Sequence, residues 1–159
     1  MNEKFDLTMI KDIEHLEGLQ ILKRNYIGRL GYSDENGPNV LPITYFFDVK
    51  DHSILSYASE GHKINAMRKS PNVSLLVDEI NTIKDWKSVL VHGTFEELSG
   101  SAAKKFLQRF AEGVQDTISK RKDEHPKFIS DFSIRLSQAK IPIVYRIKIR
   151  TTSGKFRES

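Results

Sequence analysis

Residues 26–59 read YIGRLGYSDENGPNVLPITYFFDVKDHSILSYAS, and this stretch decides the fold class. Three runs within it, 26–33, 40–49 and 54–59, are short and largely apolar, and short turns separate them. The first turn contains Asn36-Gly37, a strong hairpin signal. The pattern therefore predicts an antiparallel meander. Because Pro42 in the second run cannot donate a ladder hydrogen bond, it predicts an edge, a bulge, or a place where something other than a strand pairs with the backbone.

The rest of the chain adds strands and helices to this meander. Further strands are predicted at Asn72–Val77, Trp86–Phe95 and Pro142–Arg150. Gly93 in the second of these predicts a bulge or a close approach of another part of the chain. Helices are predicted at Thr8–Arg24 with Asp12 as a candidate N-cap, at Gly61–Ser70, from Ala102 to about Glu112, and from Pro126 through Phe132.

Six short antiparallel strands generally close into a small barrel, because closure removes exposed sheet edges. We therefore expect a mainly β fold, a six-stranded antiparallel barrel with flanking helices. It would form one domain over residues 1–159, with a helical insertion at about 100–139.

The composition bounds the function. The 159 residues carry 25 basic and 21 acidic side chains, a net charge of +4, and no cysteine. The lack of cysteine excludes disulfides, thiolate zinc sites, thiol nucleophiles and iron–sulfur clusters. No apolar run approaches the roughly 20 residues of a spanning helix, and residues 1–11 show no secretory signal. We therefore expect a cytoplasmic protein without a membrane partner, whose basic surplus fits an anionic ligand.

The strongest candidate site is Ser59-Glu-Gly-His-Lys63, where a predicted strand ends and a helix begins. The first turn of a helix presents unpaired N–H groups and a partial positive charge, which together favour an anion. Ser59 and His62 add donors, Gly61 allows close approach of the backbone, and Lys63 adds a full charge. These residues predict a phosphate site, although an ordinary capped helix with a solvated Lys63 explains the same pattern.

Two other stretches are weaker candidates. Leu41–Tyr45 can leave backbone groups free for a planar heteroaromatic ring, or it is simply an edge strand. In Trp86–Gly93, Ser88 and His92 lie on the face opposite Val89 and Val91. The five histidines are scattered with no helical pair at metal spacing, so no metal site is expected. Tyr145 and the row of basic residues lie on opposite faces of the last strand, which argues against nucleic-acid binding there.

Four stretches taken together resemble a known family: GRLGYSDENGPNVLPITYFFD, ILSYASEGHKINAMRKSPNVSLLVD, WKSVLVHGTFEEL, and VYRIKI with TTSGKF. They are similar to the pyridoxamine 5′-phosphate oxidase-like flavoproteins, the FMN-binding split-barrel family, and within it to the nitroimidazole-resistance (Nim-type) branch. The resemblance covers residues 16–97 well and the final strand moderately, whereas residues 114–139 carry none of it. It implies a six-stranded split barrel that forms a homodimer with FMN at the interface.

The resemblance also implies roles for particular residues. Pro42, Ile43, Thr44 and Tyr45 would lie along the isoalloxazine ring and supply backbone contacts. Ser59, Gly61, His62 and Lys63 would hold the FMN phosphate. The strand that begins at Trp86 would touch the flavin or its ribityl chain through Ser88 and Val89.

The function implied is an FMN-dependent oxidoreductase of a small molecule, related to nitroimidazole reductases or to pyridoxamine-phosphate oxidase. The oxidase proper normally has Ser-Arg-Lys where this chain has Gly61-His62-Lys63, which argues against pyridoxamine phosphate as the substrate. No catalytic side chain is nominated, because the flavin carries the electrons. The alternative is a non-catalytic flavin or haem protein for binding or sensing, with His62 or His92 as a haem ligand.

Overall fold

The computed structural model describes residues 9–121 and 142–158. The strands in these ranges are β1 (Ile10–Asp12), β2 (Ile27–Asp34), β3 (Gly37–Thr44), β4 (Phe46–Asp48), β5 (Ser53–Ala58), β6 (Asn72–Thr82), β7 (Asp85–Glu97) and β8 (Ile143–Arg157). The helices are α1 (His15–Arg24), α2 (His62–Lys69) and α3 (Gly100–Lys120).

The strands form one antiparallel sheet in the order β3-β2-β6-β7-β8-β5-β4, and β1 pairs with β8. Along β6 and β7 the side chains alternate between a buried inner face and an outer face. The inner face carries Val73, Leu75 and Val77 of β6 together with Val89 and Val91 of β7, and it packs into the main core. The outer face of β3, β2, β6 and β7 is therefore left free of that core.

The three helices cover different parts of the sheet. Ile21 and Leu22 of α1 and Ile64 and Met67 of α2 are buried in the main core. Phe110 of α3 belongs to a second cluster, which also contains Leu55 of β5. In the described part of the chain, no helix combines the length and the apolar character needed to cross a membrane.

The predicted elements are largely confirmed, with corrections at their ends. The helix expected at Thr8–Arg24 is wrong over residues 10–12, which form β1 and pair with Lys155–Arg157 of β8. Helix α1 accordingly begins at His15, with Glu14 rather than Asp12 at the N-cap. Strand β8 continues seven residues beyond the predicted end, to Arg157, since β1 and β7 provide pairing partners there.

The number of strands is eight in the described ranges rather than the six expected. One extra strand is β1, and the other arises because the run 40–49 is divided at Tyr45 into β3 and β4. Helix α3 extends to Lys120, beyond the predicted end at about Glu112. The predicted helix from Pro126 to Phe132 and the part of the expected insertion beyond Arg121 lie outside the described residues.

Two expectations about special residues are confirmed. Pro42 lies on β3, which is the terminal strand of the sheet order. Gly93 lies at a bulge, because the pairing of β7 with β8 shifts between His92, opposite Thr151, and Gly93, opposite Ile149. Arg150 is the additional residue on β8 at this point.

An ion pair fastens α1 to β6. The Nε and Nη2 atoms of Arg24 donate to the two carboxylate oxygens of Glu79 at 2.7 and 2.6 Å, and Asn25 Nδ2 donates to Glu79 at 2.8 Å. The hydrogen bond from Arg24 is the largest influence on the pKa of Glu79 and lowers it from its ordinary value of 4.5, although burial acts in the opposite direction.

Glu79→Gln is expected to reduce the loss of stability in acid. A carboxyl group whose pKa is lowered by folding stabilises the protein above its unfolded pKa, and this contribution is lost as the pH falls through the folded pKa. We expect a cost of about 1 kcal/mol or less at neutral pH, because the pair is partly exposed. Urea unfolding of both proteins, at pH values from neutral to below the ordinary glutamate pKa of 4.5, would measure the difference in their free energies of unfolding. Parallel pH profiles for the wild type and the variant would contradict the prediction, and Glu35→Gln, in an exposed turn, is the control.

Candidate functional site

The segment Ser59–Lys63 forms the join between β5 and α2, as the sequence predicts. Ser59 follows the last residue of β5, Gly61 occupies the N-cap position of α2, and His62 is the first helical residue. Gly61 has extended backbone angles, and nothing lies within 4 Å of a Cβ built on it. The N–H groups of the first helical turn therefore face an accessible loop, which is the geometry that favours an anion.

The acidic residue in this loop pairs with an arginine from the helix that follows it. Arg68 Nη1 donates to Glu60 at 2.5 Å, and Arg68 Nε donates to Glu97 at 2.6 Å. The hydrogen bond from Arg68 holds the pKa of Glu60 below its ordinary value. Arg68 thus ties the loop to the end of β7 and shares its charge between the Glu60 and Glu97 carboxylates.

His62 fastens the same loop to the β2–β3 hairpin. Its Nε2 lies 2.8 Å from Oδ2 of Asp34, and since a carboxylate only accepts, Nε2 carries the hydrogen. This bond is the largest of several that lower the pKa of the Asp34 carboxyl, the next being donated by the backbone N–H of Asn36. The hairpin tip and the start of α2 are therefore joined.

Lys63 differs from its charged neighbours. His62 pairs with Asp34, and Glu60 pairs with Arg68. The structure gives Lys63 no hydrogen bond or ion pair with any residue in 9–121 or 142–158. Its side chain is half-buried, and burial lowers its pKa. A partly desolvated ammonium group without a carboxylate partner can take an anion as its counter-charge.

The four residues predicted to lie along the flavin ring differ in what they expose. Pro42 is exposed on edge strand β3, whereas the side chains of Ile43 and Tyr45 are buried in the core. The Tyr45 hydroxyl donates to the carbonyl of Leu22 at 2.8 Å. Ile43 and Tyr45 can therefore contact a ligand only through backbone atoms, while Pro42 and Thr44 have side chains outside the core.

The third predicted group lies at the start of β7. Trp86 and Ser88 are half-buried on the outer face, opposite Ile80 and Asp78 of β6. The Val89 side chain is fully buried in the core. Val89, like Ile43 and Tyr45, can therefore meet a ligand only through its backbone.

The three predicted groups are not in mutual contact within one chain. Strands β2 and β6 separate β3 from β7, a distance of roughly 14 Å at the usual strand spacing. The loop at His62 contacts the hairpin tip, whereas Thr44 lies at the other end of β3, roughly 23 Å away at the usual rise per residue. Pro42 and Trp86 lie on the outer face of the sheet, whereas the His62 loop meets the sheet at the hairpin tip.

A pocket of about 650 Å³ lies elsewhere in the described ranges. It is formed by residues of α1, β6 and α3 and borders Arg121, the last described residue before 142. None of the predicted site residues lines it. No group of three or more residues of the metal-ligating types is close enough to hold an ion in the described part.

Sequence reasoning missed Asp34 and Arg68. Asp34 is one of several polar residues in a turn, and nothing in the sequence indicates that it contacts His62, 28 positions away. Arg68 lies in the last turn of α2, where a basic residue is expected for the helix dipole alone. Arg68 and Glu60 are eight residues apart, and Glu60 lies in the loop before α2 begins. The three- or four-residue spacing of side-chain pairs within a helix therefore does not predict their contact.

Comparison with known proteins identifies the family and the fold. Residues 14–156 match the model of a family described as pyridoxamine 5′-phosphate oxidase. The crystal structure of a FAD-binding protein from Mesorhizobium loti superposes with a TM-score of 0.69 at 29% identity, covering 94% of this chain and 98% of that one. The predicted mainly β, antiparallel split-barrel class is thus confirmed.

More distant structures share the fold. A FAD-binding protein from Mycobacterium smegmatis has a TM-score of 0.61 at 18% identity, covering 92% of this chain and 98% of that one. A protein from Bacteroides thetaiotaomicron that is proposed to be a 5-nitroimidazole antibiotic resistance protein has a TM-score of 0.64 at 14% identity. The superposition covers 92% of this chain and 88% of that one. An uncharacterized protein of Rhizobium meliloti is 35% identical to this chain over 72 residues. The match spans less than half of either protein, 45% of this chain and 46% of that one.

Proposed function

Since this chain belongs to the pyridoxamine 5′-phosphate oxidase family, we propose that it is a flavoprotein that binds FMN and oxidises or reduces a small molecule. The observation that carries the proposal is Lys63, a half-buried cation at the start of α2 that has no carboxylate partner in the described part of the chain. The FMN phosphate would supply that partner. The names of the FAD-binding relatives support a flavin as the cofactor.

The loop residues would hold the phosphate in complementary ways. The N–H groups of the first turn of α2 and the Ser59 hydroxyl would donate to the phosphate oxygens, and Lys63 would neutralise their charge. Arg68 keeps the Glu60 carboxylate in an ion pair, which reduces its repulsion of the ligand. His62 would support the loop through Asp34, and the second ring N–H of its protonated form would donate to the phosphate.

Strand β3 suits the flat ring of a flavin. It is the terminal strand, so the backbone groups that do not pair with β2 face an open edge. Pro42 lacks an N–H group and is exposed, which gives a ring a flat apolar surface between neighbouring backbone donors and acceptors. FMN supplies the electron-transfer chemistry when it is bound, and this chain's contribution is to bind and orient it.

A second copy of the chain would complete the site. Val40 and Ile80 on the outer face are 72% and 67% exposed, and exposed apolar side chains on one sheet face favour burial against a partner. Pro42 on β3 and Trp86 at the start of β7 lie on this face, so a homodimer would enclose a ligand laid across it. Light scattering of the purified protein tests this, and a monomer at micromolar concentration would contradict it.

The absorption spectrum of the purified protein tests the cofactor. Flavin bands are expected, and heat-released cofactor should co-elute with FMN in chromatography. If the released cofactor co-elutes with FAD, the cofactor is FAD and not FMN. A Soret band in the spectrum would show that it is haem. A colourless protein that also fails to bind added FMN at micromolar concentration would overturn the proposal. Bound flavin that neither a nicotinamide donor nor a nitro compound turns over would leave a binding protein instead of an enzyme.

A further inference from the structure

A second, smaller pocket of about 270 Å³ lies on the outer face of the sheet. It is bounded by the β2–β3 hairpin, by β6 and β7, and by Arg150 of β8, and we call it the hairpin pocket. Its lining residues with polar side chains are Tyr32, Ser33, Asn39, Asn72, Ser74, His92 and Arg150. The pocket has no aspartate or glutamate in its lining, although acidic residues make up 21 of the 159 in the chain. Its electrostatic character is therefore positive.

The donors of this pocket have few partners. Arg150 makes one long contact, 3.5 Å from its Nη2 to the carbonyl of Gly93, and it has no carboxylate partner among the described residues. By contrast, Arg146 on the same strand binds Glu96 and Asp51. In the described part of the chain, the His92 ring and the Ser74 hydroxyl make no hydrogen bond. These groups are available to a ligand.

The backbone places these groups together. Ser74 and His92 are directly opposite each other on β6 and β7. Arg150 is the additional residue at the bulge in β8, between the residues that pair with His92 and Gly93, and bulges redirect side chains. Gly31 on β2 makes room for the Ser74 hydroxyl, because a Cβ there would lie 2.6 Å from its Oγ.

The pocket also adjoins the strand proposed to carry the flavin ring. Val40 lines the pocket, and Pro42 is two residues further along β3 on the same face, roughly 7 Å away. A ligand whose charged end lay in the pocket would therefore extend toward Pro42. This is the position of a substrate relative to the proposed flavin ring, and not that of the flavin phosphate, which would lie at Lys63.

We propose that the hairpin pocket binds an oxyanion group of the substrate, a carboxylate or a phosphate monoester, with Arg150 as the principal donor and His92 and Ser74 as secondary donors. The assignment to a substrate rests on the proposed function, whereas the binding of an oxyanion does not. The guanidinium group suits both oxyanions, because its parallel N–H groups match two oxygens of either. The enzyme would accordingly prefer anionic over neutral small molecules.

The test is a titration of the purified full-length protein, loaded with FMN so that the proposed phosphate site is filled, with benzoate, phenyl phosphate and neutral benzamide. Binding is followed by the NMR signal of the His92 ring, assigned with His92→Gln. We expect benzoate or phenyl phosphate to shift this signal saturably, and the tighter of the two identifies the oxyanion. Benzamide should bind at least about 10-fold more weakly, and Arg150→Gln should weaken the oxyanion about 10-fold or more.

Arg150→Lys keeps the positive charge but loses the paired N–H donors. Its affinity for the oxyanion should therefore lie between those of the wild type and Arg150→Gln. Lys104→Gln, an exposed charge change on α3, is the matched control and should bind as the wild type does. Equal affinity for benzamide and benzoate, no saturable shift, or an Arg150→Gln variant that binds like the wild type would overturn the proposal. If the protein takes up no FMN, the proposed function fails, and the same titration of the flavin-free protein still decides the oxyanion site.

Discussion

Lys63→Ala is expected to weaken FMN binding roughly 10- to 100-fold, because it would remove the proposed charge-assisted hydrogen bond to the phosphate, worth about 1.5–3 kcal/mol. The reason lies in the surroundings of Lys63. Its ammonium group is half-buried at the start of α2 and has no carboxylate partner in the described ranges. The phosphate would therefore be its principal counter-charge. Fluorescence quenching of FMN titrated with the apoprotein measures the change.

The control separates the phosphate contact from general damage to the protein. Lys69→Ala removes an exposed charge from the last turn of the same helix and should leave FMN affinity unchanged. Riboflavin lacks the phosphate, so its affinity should be the same for the wild type and Lys63→Ala. If the variant lost riboflavin and FMN binding equally, Lys63 would not be a phosphate ligand.

Gly93→Ala is expected to destabilise the protein by roughly 3 kcal/mol, at the upper end of the usual cost of overpacking. A Cβ on Gly93 would lie 2.5 Å from Cγ2 of Ile147 and 2.6 Å from the carbonyl oxygen of Lys148. Ile147 is fully buried, and the Lys148 carbonyl belongs to the β8 backbone, so neither atom can move aside cheaply. Thermal unfolding should show a midpoint lower by roughly 10 °C.

Gly18→Ala provides the matched comparison, since it is the same chemical change with the opposite expected sign. Gly18 lies in α1, and its added Cβ would be 3.7 Å from Cγ2 of Val89, an ordinary contact. Alanine in a helix is favoured over glycine by up to about 1 kcal/mol, so this variant should be neutral or stabilised. Equal unfolding midpoints for the two variants would show that the close approach at Gly93 is not what limits substitution.

Patterns within a few residues of each other were enough to predict much of the sheet. Pro42 indicates an edge because it lacks an N–H group, and β3 is the terminal strand. Gly93 indicates a bulge or a close approach, and the structure has both. The alternation of Ser88 and His92 with Val89 and Val91 predicts which side chains are buried, because strand side chains alternate between faces.

Contacts between distant parts of the chain could not be predicted in this way. Residues 10–12 continue a helical pattern, and they form a strand only because the far end of β8 provides a partner. The loop at Ser59–Lys63 was predicted as an anion site from its own residues, but the bonds that position it come from Asp34, Arg68 and Glu97. The pattern of one sequence does not show which charged residues meet across the fold.

The central position of β8 has a consequence for synthesis on the ribosome. This strand pairs with β1, β5 and β7. The edge of each of these strands that faces β8 therefore stays unpaired until residues 143–157 have been translated. The nascent chain therefore carries uncovered strand edges while the intervening residues are being made, and such edges pair readily with those of other chains. Final closure of the sheet is a late event that depends on contacts distant in sequence, which fold slowly. A ribosome stalled before residue 143 would hold a chain that needs chaperone protection.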